Sequence, residues 1–202
     1  MTAADAPPPI CRGATVWLTG RPASGKTTLG AALAIRLVAL GYRPHLLDGD
    51  ELRQTVCRDL GFSRADRAEN VRRAGRYAIR TALAGQVVVA SLVSPYAADR
   101  QAVRIAHEQA GILFVEVYVD CPLAVAEARD PKGHYRQART GELAHFTGVG
   151  DPYEPPSAAD VVVDTSRLRV DEAARHLLER LQARFAAAAL AGEPGPLSAS
   201  KP

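Results

Sequence analysis

A short segment near the N-terminus, "LTGRPASGKTTLG", has the residue types and spacing to hold a chain of phosphates: Gly20, four variable positions, then Gly25, Lys26 and Thr27. Glycines at both ends let the backbone wrap closely, so that its N–H groups face phosphate oxygens at the start of a helix whose dipole favours anions. Lys26 is expected to reach the outer phosphates and Thr27 to offer its hydroxyl to magnesium, with Ala23, Ser24 and Thr28 completing an ATP-binding loop. This loop specifies the donor of a phosphoryl group and leaves the acceptor open.

Phosphoryl transfer needs positioning and charge neutralisation more than covalent chemistry, so a carboxylate is wanted near the magnesium or the acceptor hydroxyl. Asp48 and Asp50, in "LLDGDELR", supply two with Gly49 between them as a tight turn. Two such acids repel unless a cation or a bound hydroxyl stands nearby. Helix capping by Asp50 is the alternative. Asp48 is the acid expected nearest the chemistry, and a candidate magnesium ligand. Asp120 ends "FVEVYVD" in the manner of a second nucleotide-binding aspartate, but a helix opens at Pro122, so Asp120 is expected to act as an N-cap.

Cations follow the same logic. Nearly all are Arg; Lys occurs only at 26, 132 and 201. An ammonium is a point charge where a guanidinium is a wide fork, so Lys26 and Lys132 mark positions where a fork would not fit, unless the distribution is chance. Arg53 lies one helical turn past Asp50, and Arg67 and Asn70 share a helix face by the same spacing. With Lys132 they make either a surface for an anionic acceptor or an ordinary solvated face. The chain has four Phe, and two of them, Phe62 and Phe146, sit in polar, loop-like stretches. Those two rings either stack on a flat base or pack beneath a loop.

These residues need a scaffold. "ATVWLTG", "RPHLLDGD", "QVVVASLV", "ILFVEVYVD" and "ADVVVDTS" read as strands, each followed by a segment of helical periodicity. Ser63-x-x-Asp66 resembles a capping box opening the long helix after the second strand. Continuous apolar strands alternating with helices predict an α/β fold: a parallel sheet with helices on both faces, of the P-loop nucleoside-kinase-like kind. Ligands then lie at the carboxyl ends of the strands, where the phosphate loop, the paired acids and "SP" (Ser94-Pro95) all fall. Residues 130–156 have weak periodicity and much Gly and Pro, which predicts a lid. The expected folded domain is 13–186, between a disordered lead-in (1–12) and a disordered tail (187–202).

Composition excludes several classes. A formal charge of +3 over 202 residues, with no run of like charges, argues against a nucleic-acid or membrane partner. No apolar run reaches membrane-spanning length, and the N-terminus lacks the features of a signal peptide. Three cysteines (11, 57, 121) without metal spacing fit a reducing, cytoplasmic setting, with Cys57 as a packing residue. The histidines (45, 107, 134, 145, 176) show no ligand spacing; 134 and 145 fall in the lid.

Behind the phosphate loop come, in order, "LLDGDELR", "DLGFSRADRAENVRR", "SLVSPYAADR", "RDPKGHYRQARTGELAHFTGVGDPYEPP" and "VVVDTS". This order resembles the adenylylsulfate kinase (APS kinase) family over nearly the whole predicted domain. The resemblance implies transfer of the ATP γ-phosphate to the 3′-hydroxyl of adenosine 5′-phosphosulfate (APS), with Mg2+, giving PAPS and ADP. It implies that Phe62 and Phe146 flank the acceptor's adenine, and that Arg53, Arg67 and Asn70 hold its phosphosulfate and ribose. Lys132, Val93 and Ser94 would also contact the acceptor, and Asp48 and Asp50 would serve the hydroxyl and the magnesium. A homodimer, and functional pairing with an ATP sulfurylase, follow from the same resemblance. The chain departs from the family at Arg21-Pro22, at Tyr96 (usually Phe) and at His134 (usually Leu). Those departures keep open a related kinase for another nucleotide-linked or small anionic hydroxyl acceptor; a nucleotide-binding module without turnover is the other alternative.

Overall fold

The architecture follows from strand alternation. In β1 (Ala14–Thr19), Ala14, Val16 and Leu18 face one side of the sheet and Trp17 the other, and all are buried. A strand buried on both faces needs helices on both faces. The computed structural model, which describes residues 13–143 and 146–191, supplies them. Its parallel sheet has the order β2-β3-β1-β4-β5, with β2 at Pro44–Asp48, β3 at Val87–Ser91, β4 at Leu113–Asp120 and β5 at Val161–Asp164. The helices are α1 (Lys26–Ala39), α2 (Gly49–Gln54), α3 (Arg64–Leu83), α4 (Ala97–Gln109), α5 (Leu123–Arg129), α6 (His134–Arg139) and α7 (Val170–Ala191).

One core lies between the sheet and α1 with α7. Leu33 and Leu37, one turn apart on α1, pack in the same cluster as Leu177 and Leu181 of α7. Each of these fully buried leucines contributes about 1.5–3 kcal/mol of hydrophobic stabilisation. The other core joins Trp17, Val88 and Phe114 to Val71, Ala74 and Ala78 of α3 and Val103 of α4. Cys57 is buried there as packing, as expected.

Register carries the site. Leu18 and Asp48 both pair with Ser91, so β1, β2 and β3 end level with one another. The acid after β2 therefore stands beside the phosphate loop after β1.

Several local expectations change. Gly49 does not make a tight turn but opens α2. Asp120 does not cap α5: its N-cap is Pro122, without a side-chain bond, because the chain needs two further residues to turn into the helix. The last helix runs on to Ala191, past the expected limit at 186, because alanine is the best helix former. The lead-in at 1–12, the tail from 192 and His145 lie outside the described residues. The described part of the stretch 130–156 holds α6 and an isolated bridge between Thr147 and Asp151.

Candidate active site

The phosphate loop is held open by backbone geometry and by its own lysine. Gly25 has φ +93 and Ala23 φ +58, both in the left-handed region, and a side chain at Gly20 would collide with the Val119 carbonyl at 2.6 Å. Lys26 Nζ donates to the carbonyls of Gly20 at 2.9 Å and Arg21 at 2.7 Å, bridging the loop. Burial lowers its pKa to about 8, against the pull of Asp48 and Asp50. Ser24 and Gly20 form the back of the loop and do not line the cleft; Ala23, Gly25, Lys26, Thr27 and Thr28 do.

Beside the loop, the Thr27 hydroxyl donates to Asp48 Oδ2 at 2.8 Å, and Asp48 Oδ1 accepts from the Asp50 amide at 2.8 Å, capping α2. So Asp48, not Asp50, is the cap, and it does so while facing Thr27. Asp50 instead forms an ion pair with Lys132, which arrives from the far side of the cleft. The two acids are thus relieved by a hydroxyl and by a cation, the two partners their proximity demands.

A second cluster joins the end of α2 to the start of α3. Arg53 donates to the carbonyls of Leu60 and Gly61, at 3.4 and 2.9 Å, and its guanidinium lies 4.2 Å from the Phe62 ring centroid. Burial and the neighbouring Arg67 hold Arg53 below the ordinary guanidinium value. Arg67 is buried, and its fork is committed within the protein: to the Phe62 carbonyl at 3.0 Å, Thr147 Oγ1 at 2.9 Å and Asp151 at 3.3 Å. It thereby ties the Phe62 loop to the segment carrying Phe146. Asn70, one turn on, is buried with an Oδ1 that has no partner among the described residues. Phe62 is 51% exposed, whereas Phe146 meets Tyr135 edge-on at 4.9 Å and His134 at 5.9 Å. Burial pushes the Tyr135 hydroxyl up to about 12, and it donates to the Pro22 carbonyl at 3.1 Å, so Pro22 serves as an acceptor where its missing N–H costs nothing.

Apart from Gly20, Ser24 and Asp151, these side chains, with Val93 and Ser94, line one cleft of about 1030 Å3, large enough for two nucleotides. Tyr96 does not line it among the described residues; it caps α4 with its ring beneath Arg64, whose guanidinium lies 3.8 Å from the ring centroid. His134 does line it. The donor end holds residues not anticipated: Arg129, Thr165, Leu168 and Arg169. Thr165 Oγ1 donates to the Ser24 carbonyl at 2.7 Å, and Arg129 donates to the Thr165 carbonyl at 2.6 Å, above Gly25. Their signal was topological: the strand-end rule that selects the segments after β1, β2 and β3 applies equally after β5.

A doubly covered parallel sheet, a glycine-lysine phosphate loop and an acid facing the loop threonine define a P-loop phosphotransferase. Residues 12–164 match the family described as adenylylsulphate kinase. An adenylyl-sulfate kinase of Synechococcus is 49% identical over 171 residues, covering 85% of this chain and 95% of the relative. One of Myxococcus xanthus is 50% identical over 172 residues, covering 85% and 92%. Among solved structures, the Mycobacterium tuberculosis APS kinase in complex with AMPPNP and APS superposes with a TM-score of 0.83 at 43% identity, covering 85% of this chain and 98% of that one. The chain belongs to the adenylylsulfate kinase family.

Proposed function

We propose that the cleft transfers the γ-phosphate of ATP to the ribose 3′-hydroxyl of APS, giving PAPS and ADP. The observation that carries the acceptor is Asn70, whose buried Oδ1 lacks a donor among the described residues. An unsatisfied buried acceptor costs about 1–3 kcal/mol, and a ribose hydroxyl would supply the missing donor. Around it, the exposed ring of Phe62 suits a flat base, with Phe146 lining the same cleft, and Arg53 and Lys132 suit a phosphosulfate. Arg67 contributes its charge while holding the two phenylalanine segments together. Val93 and Ser94 border the same acceptor.

Lys26 would exchange its two carbonyl partners for phosphate oxygens. Thr27 Oγ1 and Asp48 Oδ2 offer two hard oxygens side by side, a set that fits magnesium, which keeps most of its waters when bound to protein and phosphate. Magnesium there would neutralise charge on the phosphates. Asp50 is then the acid that serves the acceptor hydroxyl, released as Lys132 turns to the acceptor's anion. Residues 130–156 act as the lid that brings Lys132 and Phe146 to the site, within a domain running from 13 to the end of α7. The reading includes a homodimer, supported by Ile35 and Val38, exposed close together on α1. It also includes supply of APS by an ATP sulfurylase and a cytoplasmic location. No helix among the described residues is long and apolar enough to cross a membrane.

The test is ADP release with APS against a panel of nucleotide-linked and small anionic hydroxyl acceptors. The highest kcat/KM is expected with APS, and a large preference for another acceptor would overturn the reading. Phe62→Ala should raise KM for APS roughly 5- to 150-fold, the loss of one base stack, and move KM for ATP less than about twofold. An equal effect on both would remove Phe62 from the acceptor pocket.

A further inference from the structure

Arg100 does not line the cleft, and at 3% exposure it is among the most buried charges of the described chain. Its guanidinium nonetheless meets three segments, one of which, at Ser94, lines the cleft. Nε donates to Glu116 Oε1 of β4 at 2.7 Å, Nη1 to the Ser94 carbonyl at 2.8 Å and Nη2 to the Glu154 carbonyl at 2.8 Å. Glu116 is held in turn: its amide donates to Asp160 Oδ2 at 2.8 Å, and Arg104 lies within 3.6 Å of its carboxylate.

The residue Arg100 grips is strained. Ser94 has φ +37, a left-handed conformation that a side chain disfavours. It persists because neighbours over-determine it: Trp17 Nε1 donates to Ser94 Oγ at 3.1 Å, and Arg100 holds its carbonyl. Glu154 fastens the same loop from outside. Its amide donates to the Pro95 carbonyl at 2.8 Å, and its carboxylate accepts from the Ala97 amide at 2.7 Å. The preceding Tyr153 bonds Thr19 Oγ1 at 3.0 Å, and that hydroxyl reaches the Val93 carbonyl at 2.8 Å. Thr19 is the last residue of β1, immediately before Gly20. The buried fork thus joins the Val93–Pro95 loop to the Tyr153–Glu154 strap, and Tyr153 carries the link on to Thr19 at the root of the phosphate loop.

Buried ion pairs add little stability over apolar packing, so a three-way guanidinium here is better explained by geometry. We propose that Arg100 is a positioning residue for phosphoryl transfer. Through Ser94 and Glu154 it keeps the acceptor loop in its left-handed conformation and in register with the loop that carries the phosphates. This rests on the cleft being an APS kinase site, since register matters only if donor and acceptor meet there.

The experiment uses the full chain with Arg100→Lys, which keeps a charge against Glu116 but cannot span three acceptors. Expected are a kcat/KM for APS lower by about 10- to 100-fold, with KM for APS rising and kcat falling, and an ATP Kd within about twofold of the parent. Amide exchange at Ala97 and Glu154, read without substrate, should quicken. A kcat/KM per folded molecule within about threefold of the parent would overturn the proposal, as would equal weakening of ATP and APS. Should Arg100→Lys not fold, the double change R100M/E116M removes both buried charges, and the same effects are expected; failure of both to fold would make Arg100 a stability residue and overturn the proposal. If the parent prefers another acceptor, the functional reading fails separately, and the variant-to-parent ratio is read with that acceptor.

Discussion

Lys26 illustrates how a single side chain sets a pH limit. With its pKa near 8 in the free protein, it is protonated below that pH, and ATP binding there takes up no proton. Phosphate oxygens favour the charged form, so binding above pH 8 must draw a proton in, and affinity should fall by up to about tenfold per pH unit. Calorimetry in buffers of different ionisation enthalpy should find proton uptake near one at pH 9 and near zero at pH 7; uptake independent of pH would refute it. Asp48 makes a separate prediction. Asp48→Asn can keep the α2 cap through its one oxygen, but it then turns an amide NH2 toward Thr27 and magnesium, so kcat should drop about 100-fold or more, while ATP binding without magnesium stays near that of the parent. Parent-like turnover would take Asp48 out of the chemistry. Much of this was legible in residue types: of three lysines in an arginine-rich chain, the two in the described structure both line the cleft. Arg67 was legible only in part, because spacing reveals a shared helix face but not that a fork is already occupied by Phe62, Thr147 and Asp151.

At the scale of elements, α3 begins where the sequence placed it. Ser63 Oγ accepts from the Asp66 amide at 3.1 Å, and the Asp66 carboxylate accepts from the Ser63 amide at 3.3 Å. This reciprocal cap sits directly after Phe62, so it fixes where the ring leaves the helix. Ser63→Ala should cost about 1 kcal/mol, lowering Tm by roughly 2–4 °C for a chain of this size. A change of Tm with no change in KM for APS would mean that the cap stabilises the helix without aiming the ring. Strands and long helices were readable from periodicity because burial on one or two faces writes a period into the sequence. The short helix α6 and the segment after β5 were not, since their positions are set by long-range bonds such as Thr165 to Ser24. The end of α7 was misjudged because an alanine-rich run resembles a tail in composition and a helix in propensity.

For the whole molecule, sheet order decides which parts fail together. β1 is central, bonded to β3 and β4, while β2 and β5 are edges with one neighbour each. The phosphate loop follows the central strand; Asp48, α2 and Arg53 follow an edge. Edge strands open at lower free energy than central ones, so amides of β2 should exchange before those of β1 as denaturant rises. Simultaneous exchange of the two would show a single cooperative unit. If they separate, mild denaturation produces a protein that still retains ATP but has no acceptor site and no acid beside Thr27. Such a form would be a silent competitor for nucleotide, and an ATP-binding assay alone would overcount active enzyme in an ageing preparation.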